Sequence, residues 1–257
     1  AALAGIYTRS IGSWMFILIL FTMPFLATTE LGTDGWMGEL LAADLGQWAG
    51  WVFVMISIIM TILRFYAGPI VHKFSPIGLL VVSAALAIIG LVFLGLAPAQ
   101  IMVVAAIVYA FGKTFLWSTT LGVVSEQFPK GGALPLNGVS AVGVLGMGIL
   151  GAPLMGFYLD KGVNTDLLAE EPAIHAKVHK VETSMFGENH TRDAEKVEAL
   201  SDDEKAKLDP IVNANKKRAF LRQAILPATL LLCYLILFVY FRGKGGYKPI
   251  ELGEGGH

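Results

Sequence analysis

Charged residues are scarce in this sequence. Asp, Glu, Lys and Arg make up 15% of the 257 residues, whereas hydrophobic residues make up 55%. Soluble domains usually carry about 25% charged residues, and the missing charge leaves long apolar runs that require a membrane. With 19 basic and 20 acidic residues, the chain also lacks the basic surplus of a nucleic-acid-binding protein.

Cysteine and catalytic motifs are almost absent. The single cysteine, Cys233, lies in an apolar run, which excludes a disulfide framework. The sequence has no phosphate-binding loop, zinc-protease helix or nucleophile elbow, and its apolar runs hold only scattered charges. His175 and His179 are four residues apart, but no third ligand clusters with them in the sequence. We therefore predict no enzyme, no metal site and no cofactor.

Six apolar runs are long enough to cross a bilayer, which takes about 20 residues in a helix. They predict an all-α membrane protein with a six-helix bundle. The predicted spans are Ile11–Glu30, Trp48–Ala67, Ile77–Ala97, Gln100–Gly122, Pro135–Tyr158 and Ala219–Phe241.

Lys and Arg in short loops predict the orientation. The link 31–47 contains Asp34, Glu39 and Asp44 but no Lys or Arg, whereas the opposite side collects the basic residues. Both termini are therefore predicted to be cytoplasmic. The predicted parts are five spans in 1–159, an extracytoplasmic linker 160–217, a sixth span 218–242 and a cytoplasmic tail 243–257.

The linker 160–217 is polar and rich in Glu, Lys and Ala, and it shows no hydrophobic set that would build a core. We expect a mobile external loop with one or two surface helices. Ser201-Asp202-Asp203-Glu204 is typical of a capping box that opens a helix. Asp209-Pro210 is expected to end that helix.

Lys113 is the first candidate functional residue, because an ionisable side chain inside a bilayer needs a partner or a water-filled cavity. Tyr109, Lys113, Trp117 and Thr120 share one face at helical spacing. Aromatic rings beside an ammonium group indicate the wall of a site for a polar solute. The alternative is a lysine that extends to the membrane surface.

Glu30 is the second candidate, and its role depends on whether the first helix continues. If the helix continues with a kink after Glu30, this carboxylate lies within the bilayer and lines a cavity, with Trp36 following on the same helix. If the helix stops, Glu30 and Asp34 are ordinary outer-surface acids.

A further helix, the fifth, carries small residues at Gly148, Ala152 and Gly156, a spacing that favours close packing by another helix.

The segment Arg64-Phe65-Tyr66-Ala67-Gly68-Pro69-Ile70-Val71-His72-Lys73 resembles the cytoplasmic loop motif of the major facilitator superfamily. Gly68 and Lys73 fit this motif, whereas His72 stands where the family usually has an acid. The stretch Trp117–Gly132 is similar to the turn between the fourth and fifth helices of bacterial members.

This resemblance implies the C-terminal six-helix half of a transporter in a bacterial inner membrane. It implies proton-coupled secondary transport of a small polar solute, together with a second six-helix half or a complementary chain. In such a half the first and fourth helices line the cavity, and these carry Glu30 and Lys113. The alternative is a non-transporting six-helix subunit of a larger membrane complex, with the segment 160–217 as its docking surface.

Overall fold

The computed structural model describes residues 13–251, apart from the side chains at 35–36, 39–40, 43–44, 71–72 and 99–100. Within this part of the chain, six helices are long and apolar enough to cross a membrane. This confirms the predicted helical membrane bundle. Spans 1 to 6 are Trp14–Gly32, Gly46–Phe65, Pro76–Leu96, Ile101–Gln127, Ala133–Glu170 and Asp202–Gly243.

The helix that forms span 1 continues beyond Gly32, where the span ends. Helix α1 (Trp14–Ala27) leads through a π-helical turn at Thr28–Gly32 into helix α2 (Thr33–Leu45). Of the two alternatives for this helix, the structure shows the one in which it continues past Glu30, and this residue lies inside the π turn. Such single π turns inside α-helices are frequent at functional sites.

The segment that resembles the cytoplasmic loop motif is helical rather than a loop. Helix α3 (Ala49–Phe65) ends at Phe65, and helix α4 (Ala67–Phe74) begins after a break at Tyr66. Pro69 lacks the N–H that would bond to the carbonyl of Phe65, and this explains the break. Gly68 and Lys73 therefore lie on a helix, whereas the side chain of His72 is outside the described residues.

Helices α5 (Pro76–Leu96) and α6 (Ala99–Lys113) cross very closely. A Cβ atom on Gly112 would lie 2.3 Å from the backbone nitrogen of Ala87, and one on Gly90 would lie 2.4 Å from the Cα of Tyr109. Two glycines therefore set the contact distance of these helices. After a break at 114–115, helix α7 (Leu116–Gln127) completes span 4.

Span 5 consists of helix α8 (Ala133–Gly146), a second π turn (Met147–Gly151) and helix α9 (Ala152–Glu170). The two π turns meet, since a Cβ on Gly151 would lie 2.0 Å from Thr28 Oγ1. The face of Gly148, Ala152 and Gly156, on which we expected another helix to pack, has no helix against it in the described part of the chain. No atom lies within 4 Å of a Cβ built on Gly148 or Gly156, and that face is open.

The segment 160–217, called the outer subdomain after its predicted side of the membrane, is folded, and the prediction of a loop without a core was wrong. After α9 follow helix α10 (Pro172–Val178), the antiparallel strands β1 (His179–Ser184) and β2 (Gly187–Arg192), and helix α11 (Ala194–Glu198). Apolar residues of α9, α10 and helix α12 (Asp202–Gln223), together with one residue before α12, form one buried cluster. Its members are Val163, Leu167, Ile174, Val178, Leu200, Leu208 and Ile211.

The capping box at Ser201 and Glu204 is confirmed, but Pro210 does not end the helix. Leu208 and Ile211, on either side of Pro210, are buried in the outer-subdomain cluster and hold α12 in place. Helix α12 therefore runs to Gln223, and helix α13 (Ile225–Gly243) completes span 6.

Candidate functional site

Four charged side chains form a cluster of two ion pairs between the helices: Glu30, Asp34, Arg64 and Lys113. Glu30 lies midway along the continuous helical run from Trp14 to Leu45, about 24 Å from either end at 1.5 Å per residue. Because Arg64 contacts it, the end of α3 lies at the same depth. Arg64 lies in the last turn of α3, and its ion pair with Glu30 joins spans 1 and 2.

Glu30 is held by two donors from other spans. Arg64 Nη2 donates to Oε1 at 2.9 Å, and the backbone N–H of Trp117 donates to Oε2 at 2.9 Å. This N–H belongs to the first turn of α7, where no intrahelical carbonyl uses it. Helix N-termini favour negative charge, and so the break in span 4 stabilises the carboxylate.

The same break serves Arg64. The carbonyl of Thr114 accepts a hydrogen bond from Arg64 Nε at 3.3 Å. The interruption of span 4 therefore frees one donor and one acceptor, and the two members of the Glu30–Arg64 pair use one each. A broken helix whose freed backbone groups bind ions is a recurring feature of transporter sites.

Lys113 forms the second ion pair, with Asp34. The Lys113 side chain is only 1% exposed, whereas that of Asp34 is 41% exposed. Glu30 and Arg64 show the same contrast, at 5% and 47%. Each buried charge is thus neutralised by an opposite charge that reaches the bundle surface.

A hydrogen-bonded network lies beside the charged cluster. The hydroxyl of Tyr109 contacts the carbonyl of Thr29 and lies 2.9 Å from Thr33 Oγ1. Gln223 Nε2 donates to the same Thr33 oxygen at 3.1 Å. Gln223 Oε1 is buried and has no hydrogen-bond partner among the described atoms. Spans 1, 4 and 6 are therefore joined by polar contacts at this depth.

The aromatic residues have different places from those expected. Tyr109 is fully buried, with Lys113 Nζ 5.6 Å from its ring centre, and it offers no face on which a solute could stack. Trp117 is half-buried, and its ring lies 3.4 Å from the place that a Cβ atom would take on Gly143 in span 5. The side chain of Trp36 lies outside the described residues. Of the predicted site, Glu30, Asp34 and Lys113 come together.

Sequence reasoning missed the partnership of Arg64 with Glu30, and it missed Thr33 and Gln223. The pair joins residues 34 positions apart, and no local pattern links them. Thr29 and Thr33 do stand one helical turn apart, next to Glu30. That spacing was the available signal for Thr33.

The outer subdomain brings three histidines together. His179 Nε2 lies 3.0 Å from His190 Nδ1, and the His175 and His179 rings are tilted against each other with centroids 4.7 Å apart. Burial lowers the pKa of His175, with His179 and His190 adding to this effect. Among the described residues, no group of three His, Cys, Asp or Glu side chains has the geometry to hold a metal ion.

The fold and the site define the chain as a helical integral membrane protein, with six candidate spans among the described residues and two ion pairs between its helices. Neither the known protein families, nor curated proteins, nor solved structures give a match to this chain.

Proposed function

We propose that the chain is one half of a secondary active transporter that moves a small polar solute together with protons. The observation that carries this proposal is the pairing of each buried charge with a half-exposed opposite charge. Ionisable groups at membrane depth are expensive and mark ion or substrate pathways. The adjoining interruptions in spans 1 and 4 support the same assignment.

Glu30 is the proposed proton carrier. When its carboxylate is protonated, it no longer neutralises Arg64, whose guanidinium is then free to bind an acceptor group of the solute. Asp34, which is paired with Lys113 and partly exposed, offers a carboxylate oxygen as an acceptor for a solute donor. Proton binding and solute binding are thereby coupled through one ion pair.

A second six-helix half is the proposed partner. Spans 2 and 5 have the fewest buried residues of the six spans. Span 1 contacts span 2 through the Glu30–Arg64 pair and span 5 through its π turn, and so it lies between them. The exposed sides of Asp34 and Arg64 therefore belong to the region that these two open helices flank. Rocking of the two halves would expose the site to each side in turn.

The proposed setting is a bacterial inner membrane with both termini in the cytoplasm. Lys130, Arg242, Lys244 and Lys248 gather at one end of the bundle, where spans 4 and 6 end. An excess of Lys and Arg in short segments is typical of the cytoplasmic side.

Proton uptake by proteoliposomes tests this function. The protein encoded by the complete reading frame is reconstituted into vesicles that contain a pH-sensitive dye in their lumen. Sugars and nucleosides are then added one at a time. The wild type is expected to acidify the lumen when its solute is added. Glu30→Gln is expected to abolish this proton entry but to keep exchange of labelled solute, because the variant mimics a permanently protonated site. Lys113→Ala should lose both activities.

Glu170→Gln is the matched control, since it removes an exposed carboxylate at the end of α9, away from the cluster. It should behave as the wild type. Solute-driven proton entry that survives in Glu30→Gln would remove this residue from coupling, and uptake that survives in Lys113→Ala would remove the lysine from the mechanism.

A non-transporting subunit of a larger complex is the second candidate. The buried cluster of the outer subdomain favours it, because a folded external unit provides a docking surface that simple transport does not require. Chemical cross-linking in intact membranes distinguishes the two. Cross-links that join residues 160–217 to a different polypeptide, in a protein that shows no solute-driven proton entry, would support the role as a subunit.

A further inference from the structure

A cavity of about 600 Å³ lies at the end of the bundle opposite the outer subdomain. It is bounded by the start of span 1, the ends of spans 4 and 6, and the segment that follows span 6. Its walls include the apolar side chains of Met15, Phe128 and Phe241, and its lysines are Lys130, Lys244 and Lys248. We call it the basal cavity. It takes no part in the proposed transport site.

The chain after span 6 builds one wall of this cavity by turning back on the bundle. Gly245 and Gly246 have φ angles of 86° and 106°, a region that residues other than glycine seldom adopt. The returning segment is fastened to the end of α7. Gln127 Nε2 donates to the carbonyl of Lys248 at 2.8 Å, and the Ile250 N–H donates to the carbonyl of Glu126 at 2.9 Å.

The basal cavity carries a surplus of positive charge. Three exposed lysines line it, whereas the nearby Glu126 carboxylate already accepts a hydrogen bond from the Tyr247 hydroxyl at 2.6 Å. Burial raises the pKa of Tyr247, which therefore remains a donor. Glu251, the acid within the described part of the chain after span 6, is exposed. An anion is the ligand that this arrangement favours.

The position of the cavity indicates where that anion comes from. Three spans begin or end at its walls, which places it at the level of the lipid headgroups. At the same level, Trp14 and Tyr240 pack edge to face with ring centroids 4.9 Å apart. Tryptophan and tyrosine are enriched at this interface. Apolar walls below charged amines match a molecule with an anionic head and an acyl chain.

We propose that the basal cavity binds an anionic phospholipid. The lysine ammonium groups hold the phosphate, and the uppermost part of an acyl chain lies against Met15, Phe128 and Phe241. The docked segment 244–250 supplies two of the three lysines, and its order is therefore linked to the bound lipid.

Native mass spectrometry of the detergent-purified full chain tests this proposal. After delipidation, the protein is mixed with equal amounts of phosphatidylglycerol and phosphatidylcholine, and in a separate sample with glycerol 3-phosphate. Phosphatidylglycerol is expected to be retained over phosphatidylcholine by on the order of 10- to 100-fold, because each basic residue adds several-fold affinity for an anionic headgroup. The triple variant Lys130→Gln, Lys244→Gln, Lys248→Gln should lose this preference.

A matched triple variant, Lys161→Gln, Lys180→Gln, Lys196→Gln, removes the same charge from exposed positions of the outer subdomain and should keep the preference. The unfolding temperatures of the lipid-free proteins show whether each variant is folded. Equal retention of the two lipids by the wild type would overturn the proposal, and so would an undiminished preference in the basal variant. Binding of glycerol 3-phosphate as tight as that of the lipid would assign the site to a soluble phosphate instead.

Discussion

The two ion pairs of the charged cluster are asymmetric at the level of single residues. In each pair one side chain is buried and its partner is nearly half exposed. Desolvation of a charge is costly, and a buried charge that loses its partner is worse than a buried pair. Removal of the exposed member should therefore be more harmful than removal of the buried one.

Asp34→Asn and Lys113→Met test this asymmetry. Asp34→Asn leaves the fully buried Lys113 without a neutralising charge, and we expect it to lower the free energy of unfolding by about 2–4 kcal/mol. Lys113→Met leaves only a half-exposed carboxylate, and we expect a loss below about 1 kcal/mol. Denaturant unfolding in detergent micelles, followed by tryptophan fluorescence, measures both.

The double variant Asp34→Asn, Lys113→Met should be as stable as Lys113→Met alone, because no buried ammonium group is left without a partner once Lys113 is replaced. A greater loss in Lys113→Met than in Asp34→Asn would show that the ammonium is solvated in the folded protein.

The sequence identifies single functional candidates where a charged residue stands in an apolar run. Glu30 and Lys113 stand out because they are charges in apolar runs, and the structure buries both. Arg64 could not be assigned to Glu30, because that pair depends on where α3 ends relative to α1. Tyr109 was expected to line a cavity, but helical spacing fixes only its face and not whether that face meets solvent or another helix.

At the level of elements, the structure depends on close helix crossings that one added methyl group would disturb. Gly112 in α6 and Gly90 in α5 contact backbone atoms of the opposite helix. Backbone atoms cannot move aside as flexible side chains can, and overpacking a tight contact usually costs about 1–3 kcal/mol.

Gly112→Ala is therefore expected to destabilise the protein by about 1–3 kcal/mol. It should also disturb the site, because Lys113 is the next residue in the chain. Gly138→Ala is the control, since a Cβ there meets nothing within 4 Å, and we expect a change within about 0.5 kcal/mol. Unfolding in detergent measures both variants, and equal stability of the two would contradict the close crossing.

Elements were predictable from the sequence where the apolar runs are continuous. The six spans follow from hydropathy, whereas the lengths of the helices do not, because polar helical segments continue beyond the apolar runs of spans 1, 5 and 6. The core of the outer subdomain was hidden for a related reason. Its members are spread from Val163 to Ile211, and a polar chain separates them until the hairpin and α12 bring them together.

On the scale of the whole molecule, burial is distributed unevenly among the spans. Spans 1, 3 and 4 are the most buried, and spans 2 and 5 expose most of their residues. The sequence gives no sign of this difference, because lipid and a second helical bundle both accept apolar side chains. The half-exposed charges of Asp34 and Arg64 do distinguish the two environments, since neither is stable against hydrocarbon.

Oxygen accessibility of spin labels decides whether spans 2 and 5 face lipid or a partner half. Labels are placed at Ile58→Cys in span 2, at Ile149→Cys in span 5 and at Val239→Cys in span 6, all exposed positions, with Cys233→Ala as background. If the proposed second half packs on spans 2 and 5, the first two labels should lose contact with membrane-dissolved oxygen in the assembled protein. The label on span 6 should keep it, because that helix lies outside the proposed contact. Equal accessibility at all three positions would mean that lipid surrounds the whole bundle. The exposed charges of Asp34 and Arg64 would then need a partner from within this chain, and half of a transporter would no longer explain them.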